Sequence, residues 1–77
     1  MMKKMLKDGD LVKVSEEISA EVIGEKKTIS LPAGTTGAIV MVYENGKAYE
    51  IEFYISKTDI YALATVPSEK VKSLEKM

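Results

Sequence analysis

Thr36-Gly37-Ala38-Ile39-Val40-Met41-Val42-Tyr43-Glu44-Asn45-Gly46-Lys47-Ala48-Tyr49-Glu50-Ile51-Glu52-Phe53-Tyr54-Ile55 is the stretch that decides the fold. Two runs rich in β-branched and aromatic residues flank Asn45-Gly46. Asn and Gly tolerate the positive φ angles of a type I′ turn, so the pattern predicts a tight β-hairpin. With Asn45 and Gly46 as the loop, Glu44 faces Lys47, Val42 faces Tyr49, Val40 faces Ile51 and Ala38 faces Phe53. Those last three pairs share one face and make a sensible core, because side chains alternate strictly along a strand. The second face then carries Tyr43 with Ala48, Met41 with Glu50, and Ile39 with Glu52.

That second face is the anomaly of the sequence. Ile39, Met41 and Tyr43 line it where a solvated face would be polar, beside Glu50 and Glu52. Tyr54 belongs half-exposed as well, since a buried hydroxyl needs a partner. Two readings stand side by side. Either the strip is covered, by the long excursion folding over it or by barrel curvature burying part of it against Ile18, Val22 or Ile23, or it is an exposed apolar surface rimmed by carboxylates. In the second case it is a protein-binding surface, and Met adapts well to a partner's shape. Ile39, Met41, Tyr43, Glu50, Glu52 and Tyr54 are therefore the candidate partner-binding residues.

Working outward, Asp8-Gly9-Asp10 is a turn, and Leu11-Val12-Lys13-Val14 is a short strand with Val12 and Val14 on one face. Residues 18–35 fit a hairpin, Glu21–Ile23 with Thr28–Leu31, turning at Gly24-Glu25-Lys26-Lys27. A helical turn over Ser15–Ala20, capped by Ser15, is the alternative for its start. Pro32-Ala33-Gly34 is a loop. Gly34 and Gly37 read as backbone devices, a turn and a bulge. Downstream, Ser56-Lys57-Thr58-Asp59 is a second turn. Ile60 to Val66 is a strand that is apolar at nearly every position, so it is either buried on both sides or changes faces through a bulge. Pro67 ends it. Ser68-Glu69-Lys70 suits one helical turn capped by Ser68, and Val71 and Leu74 return to the core on a short strand or helix.

Composition excludes much chemistry. The chain has 77 residues, 45% of them hydrophobic, which is the size of one domain, expected to span residues 1–77. It has no Cys and no His. That removes Ser-His-Asp and Cys-His catalysis, disulfides and a structural zinc site. Gly34 and Gly37 are not followed by the Gly-Lys-Ser/Thr of a phosphate-binding loop. Glu50 and Glu52 read as a solvated acidic edge rather than a catalytic pair or a metal site, because a small barrel lacks a cleft and other oxygen ligands are not nearby in sequence. No enzyme, cofactor or metal is expected.

Charge is nearly balanced, with 11 basic and 12 acidic residues, and every basic residue is Lys. Nucleic-acid binders of this size carry a basic excess and depend on Arg, so this balance argues against nucleic acid. Lys3, Lys4 and Lys7 cluster near the start, where residues 1–8 are expected to fray. Lys7-Asp8-Gly9-Asp10 interrupts any signal-peptide-like apolar stretch, and no run is long and apolar enough for a membrane helix. A cytoplasmic location is the expectation.

The order of elements resembles SH3-like barrels: short strand, long excursion, hairpin, fourth strand, helical turn, last strand. The residues also resemble a family of small bacterial proteins classed as a domain of unknown function. The resemblance is carried by Asp10-Leu11-Val12, Leu31-Pro32-Ala33-Gly34-Thr35-Thr36-Gly37-Ala38-Ile39-Val40, the block from Val42 to Phe53, and Ala64-Thr65-Val66-Pro67. It departs at Ile18–Ser30, where the excursion is longer than the pattern. The resemblance implies an all-β fold: a small SH3-like five-stranded barrel with one helical turn before the last strand and an extended first loop or hairpin. It implies no catalytic residues. Members resemble partners in two-gene modules, including toxin–antitoxin-like pairs.

The resulting expectation is a non-catalytic protein-interaction module, antitoxin-like or a stabilising partner of an adjacent gene product. Its acidic rim favours a basic partner, and a homodimer through the same strip is the symmetric version. The alternative is a small nucleic-acid-binding β-barrel, with Tyr43, Tyr54 and Tyr61 stacking on bases. Binding of proline-rich peptides ranks last, because those grooves rely on aromatics that usually include Trp, and the chain has none.

Overall fold

The hairpin forms where the sequence places it. In the computed structural model, which describes residues 6–74, β4 (Thr36–Tyr43) pairs antiparallel with β5 (Ala48–Ile55). The remaining strands are β1 (Leu11–Val14), β2 (Ile18–Val22), β3 (Thr28–Leu31), β6 (Ile60–Pro67) and β7 (Val71–Ser73). All seven join one curled antiparallel sheet in the order β3-β2-β6-β5-β4-β1-β7. The fold is all-β, a half-barrel of seven strands where five were expected. The difference lies in the excursion. Its hairpin, β2 with β3, docks against the free edge of β6 through Glu21↔Leu63 and Val22↔Ala62. Burial of Ala20, Val22 and Leu31 beneath it drives that docking. The hairpin thus begins at Ile18 rather than Glu21, and the helical turn over Ser15–Ala20 does not form.

The concave face holds the core. Val12, Val14, Ile39, Ile51, Phe53 and Val66 are the largest fully buried side chains. Every strand contributes to the same cluster, and no polar or charged residue is buried among the described residues. Leu6 packs against this cluster, and the Lys7 N–H donates to the Asp10 carboxylate at 3.0 Å. Of the segment 1–8 that was expected to fray, residues 1–5, Lys3 and Lys4 among them, lie outside the described residues.

The predicted register holds only for the half of the hairpin next to the turn. Tyr43↔Ala48, Val42↔Tyr49 and Met41↔Glu50 pair as expected. Glu44, however, belongs to the loop with Asn45 and Gly46; their φ angles of 48°, 59° and 95° make three left-handed residues in succession. Further along, Ile39 pairs with Ile51 and Ala38 with Glu52, so Val40 is an extra residue, a β-bulge. The bulge moves Ile39 into the core, where it is 1% exposed, and leaves Val40 outside at 39%. The expected core pairs Val40–Ile51 and Ala38–Phe53 are thereby overturned.

Gly37 is not the bulge but the close approach that the bulge creates. A Cβ there would lie 2.6 Å from the Glu52 carbonyl oxygen, 2.7 Å from Ile51 Cγ2 and 2.8 Å from Phe53 Cδ1. Only a residue without a side chain lets β4 pass over the Phe53 ring. Strand β6 corrects a second expectation. It pairs with β5 without interruption from Ile55↔Ile60 to Ala48↔Pro67 and alternates cleanly, with Ala62, Ala64 and Val66 inward. Tyr61 and Leu63, apolar as well, fall on the outward side of that alternation. The helical turn at Ser68–Lys70 forms, but no side chain caps it, and the Ser68 N–H instead donates to the Lys47 carbonyl at 2.9 Å.

Two substitutions test these backbone constraints. Gly37→Ala is expected to destabilise the fold by about 1–3 kcal/mol, the usual range for overpacking, in urea unfolding. Glu44→Gly is expected to raise stability by less than about 1 kcal/mol, because it removes a left-handed L-residue from the turn and returns part of the gain as chain entropy.

Candidate functional site

The convex face of the central strands is built by the outward half of each alternation. From β5 come Glu50, Glu52 and Tyr54; from β6 Tyr61, Leu63 and Thr65; from β4 Ala38 and Met41. Leu11 on β1 lies opposite Ala38, and Glu21 on β2 lies opposite Leu63. The excursion does not cover this face, because it extends the sheet sideways beyond β6. Met41 and Tyr54 are each 51% exposed, Tyr61 49% and Leu11 61%.

Of the residues singled out in the sequence, Met41, Tyr43, Glu50, Glu52 and Tyr54 do share this face. Ile39 does not, for the bulge turns it inward. Leu11, Ile23 and Leu63 were missed, and Tyr61 was named only as a base-stacking residue of the nucleic-acid alternative. The signal for Tyr61 was present: a four-residue turn at 56–59 sets Ile55 against Ile60 and hence Tyr54 against Tyr61.

Two tyrosines are fixed by carboxylates. The Tyr43 hydroxyl donates to Glu50, its diagonal cross-strand neighbour. That hydrogen bond holds the Tyr43 phenol above its usual pKa, with partial desolvation and the Glu50 charge acting in the same direction. The Tyr54 hydroxyl donates to Asp59 Oδ1 at 2.8 Å, which raises its pKa as well, helped by desolvation and by Tyr61. The Tyr54 and Tyr61 rings lie 4.9 Å apart, centroid to centroid, tilted by 38°. This tilted contact is a favourable aromatic geometry and gives the pair a defined shape.

Three shallow grooves surround these residues. One, of about 370 Å³, is lined chiefly by Leu11, Ala38, Glu52, Tyr54, Tyr61 and Leu74. A second, of about 340 Å³, is lined by Ile23, Glu25, Glu52, Asp59, Ile60 and Tyr61. A third, of about 590 Å³, runs along β2 past Glu21, Glu50 and Leu63. Glu21, Glu25, Glu50, Glu52 and Asp59 all line one or more of them, and no lysine among the described residues lines any. The carboxylates are spread along the face. Among the described residues no three of them stand close enough together to hold a metal ion.

Residues 10–73 match DUF4926, described as a domain of unknown function. The chain belongs to this family. Comparison with curated proteins and with solved structures gave no match. The DUF4926 match spans all seven strands, so it takes in every strand residue of the convex face. Among the described residues no helix is long and apolar enough to cross a membrane.

Both raised phenols are held more tightly by the folded protein than by the unfolded chain. Their contribution to stability is complete below the ordinary tyrosine value of 10.0 and is lost as the pH rises through the raised values. Between pH 10 and pH 12 the wild type is expected to lose Tm more steeply than Tyr43→Phe/Tyr54→Phe, followed by circular dichroism. Parallel curves would show that the two hydrogen bonds do not form in solution.

Proposed function

We propose that this DUF4926 domain is a non-catalytic protein-interaction module of the bacterial cytoplasm, and that its convex face is the binding surface. One observation carries the reading. Exposed Leu11, Met41, Tyr54 and Tyr61 stand around grooves that are lined by carboxylates and by no lysine among the described residues, while Lys13 and Lys72 lie at the β1–β7 edge of the same face. In a protein with nearly equal numbers of acidic and basic residues, the charged residues that line these grooves beside the apolar patch are all acidic. Such a patch supplies the aromatic anchors and desolvatable area of a protein interface. The acidic setting steers a basic partner toward it and repels an acidic one.

The arrangement of strands is consistent with an SH3-like scaffold. On that reading β1, β4, β5, β6 and β7 are its five strands, and the β2–β3 hairpin is an enlarged first loop that joins the sheet. The partner we favour is the product of an adjacent gene, which the domain would stabilise or neutralise in the manner of an antitoxin. The nucleic-acid alternative is weakened by the same observation. The exposed Tyr54–Tyr61 pair stands among carboxylates, which repel a phosphate backbone.

The test is co-elution with the adjacent gene product in size-exclusion chromatography. The wild type is expected to co-elute and Met41→Lys/Tyr54→Lys to lose the complex while keeping its circular dichroism spectrum, since both side chains are half exposed. Equal co-elution of the two proteins would remove the convex face as the interface.

A further inference from the structure

We infer that Glu52, with Tyr54 and Tyr61, forms a seat for an arginine side chain of the protein partner, and that an apolar residue beside this arginine fills the groove between Leu11 and Leu74. The inference rests on the protein-interaction reading and names the chemistry of the partner.

Glu52 occupies the middle of the face. Its cross-strand neighbours are Ala38 on β4 and Leu63 on β6, both aliphatic. Its side chain is half buried, and it forms no ion pair among the described residues. Of the other carboxylates that line the grooves, Glu50 already accepts from Tyr43 and Asp59 from Tyr54, while Glu21 and Glu25 are exposed rather than half buried. A partner that covered Glu52 with apolar atoms alone would strand a carboxylate in a low-dielectric interface, where its lost hydration is not replaced. The partner must therefore bring a cation to this point, and partners without one are rejected.

Glu52 also stands between two grooves of different character. On one side, Glu25, Glu52 and Asp59 surround Tyr61. On the other, Glu52 is the only charged residue among Leu11, Ala38, Tyr54, Tyr61 and Leu74. The first suits a cationic head and the second an apolar side chain, so an extended segment carrying both would span them. Arginine fits better than lysine. Its planar group stacks on a tyrosine face while forming paired hydrogen bonds to a carboxylate, and it is less strongly hydrated. The Tyr54 ring is already held by Asp59 and by contact with Tyr61, so little order is lost on binding. A second copy of the chain can offer only lysine at this point, because the sequence contains no arginine.

The probes are three blocked tripeptides, acetyl-Leu-Arg-Leu-amide and its lysine and citrulline counterparts, titrated into the intact ¹⁵N-labelled protein. The arginine peptide is expected to cause saturable amide shifts centred on Glu52, Tyr54 and Tyr61. The lysine peptide should bind more weakly, and the neutral citrulline peptide should not saturate. Glu52→Gln, which conserves shape, should weaken the arginine peptide about tenfold or more while Tm holds. Equal binding of arginine and citrulline peptides, equal binding by Glu52→Gln, or shifts centred elsewhere would overturn the inference. The same variant separates it from the broader reading. If Met41→Lys/Tyr54→Lys abolishes co-elution but Glu52→Gln binds the partner as tightly as wild type, the face stands and the arginine seat falls. If neither variant affects co-elution, both fall.

Discussion

The β4–β5 ladder changes register at Val40, and both faces of the sheet follow from that step. Side chains alternate with a period of two, so one extra residue exchanges inside for outside over the rest of the strand. On the turn side of the bulge, Val42 faces in and Met41 out; beyond it, Ile39 faces in and Ala38 out. The exchange brings Gly37 over Phe53, where any side chain would collide with the ring and with the Glu52 carbonyl. A buried ring at Phe53, a bare position at Gly37 and a bulge at Val40 are thus one device. The bend that a bulge imposes also helps a single sheet curl around its own core. Past Ile39, the β1 side of β4 has no partner among the described residues, because β1 is held to Ile39 through Gly9 and Asp10.

The convex face inherits its composition from this geometry. Ala38 rather than Ile39 becomes the neighbour of Glu52, so the carboxylate is flanked by a small side chain and remains accessible. The β2–β3 hairpin lengthens the sheet instead of roofing it, and the apolar residues of β6 that do not enter the core stay in contact with water. Tyr43 and Tyr54 each direct a hydroxyl at a nearby carboxylate, which fixes the side chains without burying them.

Much of the architecture was legible in the residues. Asn45-Gly46 located the hairpin, alternation placed Val12 and Val14 in the core, and Tyr49, Ile51 and Phe53 likewise. The bulge was not legible at Val40, because nothing in a Val at that position marks an insertion; its need arises from Phe53 and from sheet curvature, both set by distant strands. Strand β6 was ambiguous for a related reason. With Tyr61 and Leu63 as apolar as Ala62 and Ala64, hydrophobicity carries no period, and only pairing with β5 decides the faces. Five of the six residues chosen for the face belong to it because they lie in β5 or on the turn side of the bulge, where the simple register holds. Ile39 was misplaced because it lies beyond.

Strand β5 lies between β4 and β6, and its alternation separates two tasks. Tyr49, Ile51 and Phe53 answer to the core, whereas Glu50, Glu52 and Tyr54 answer to whatever meets the convex face. Two short words are interleaved letter by letter in one strand. Substitutions in the outward word leave the side chains of the inward word in place, so the chemistry of the convex face can change while the core residues of the same strand stay the same.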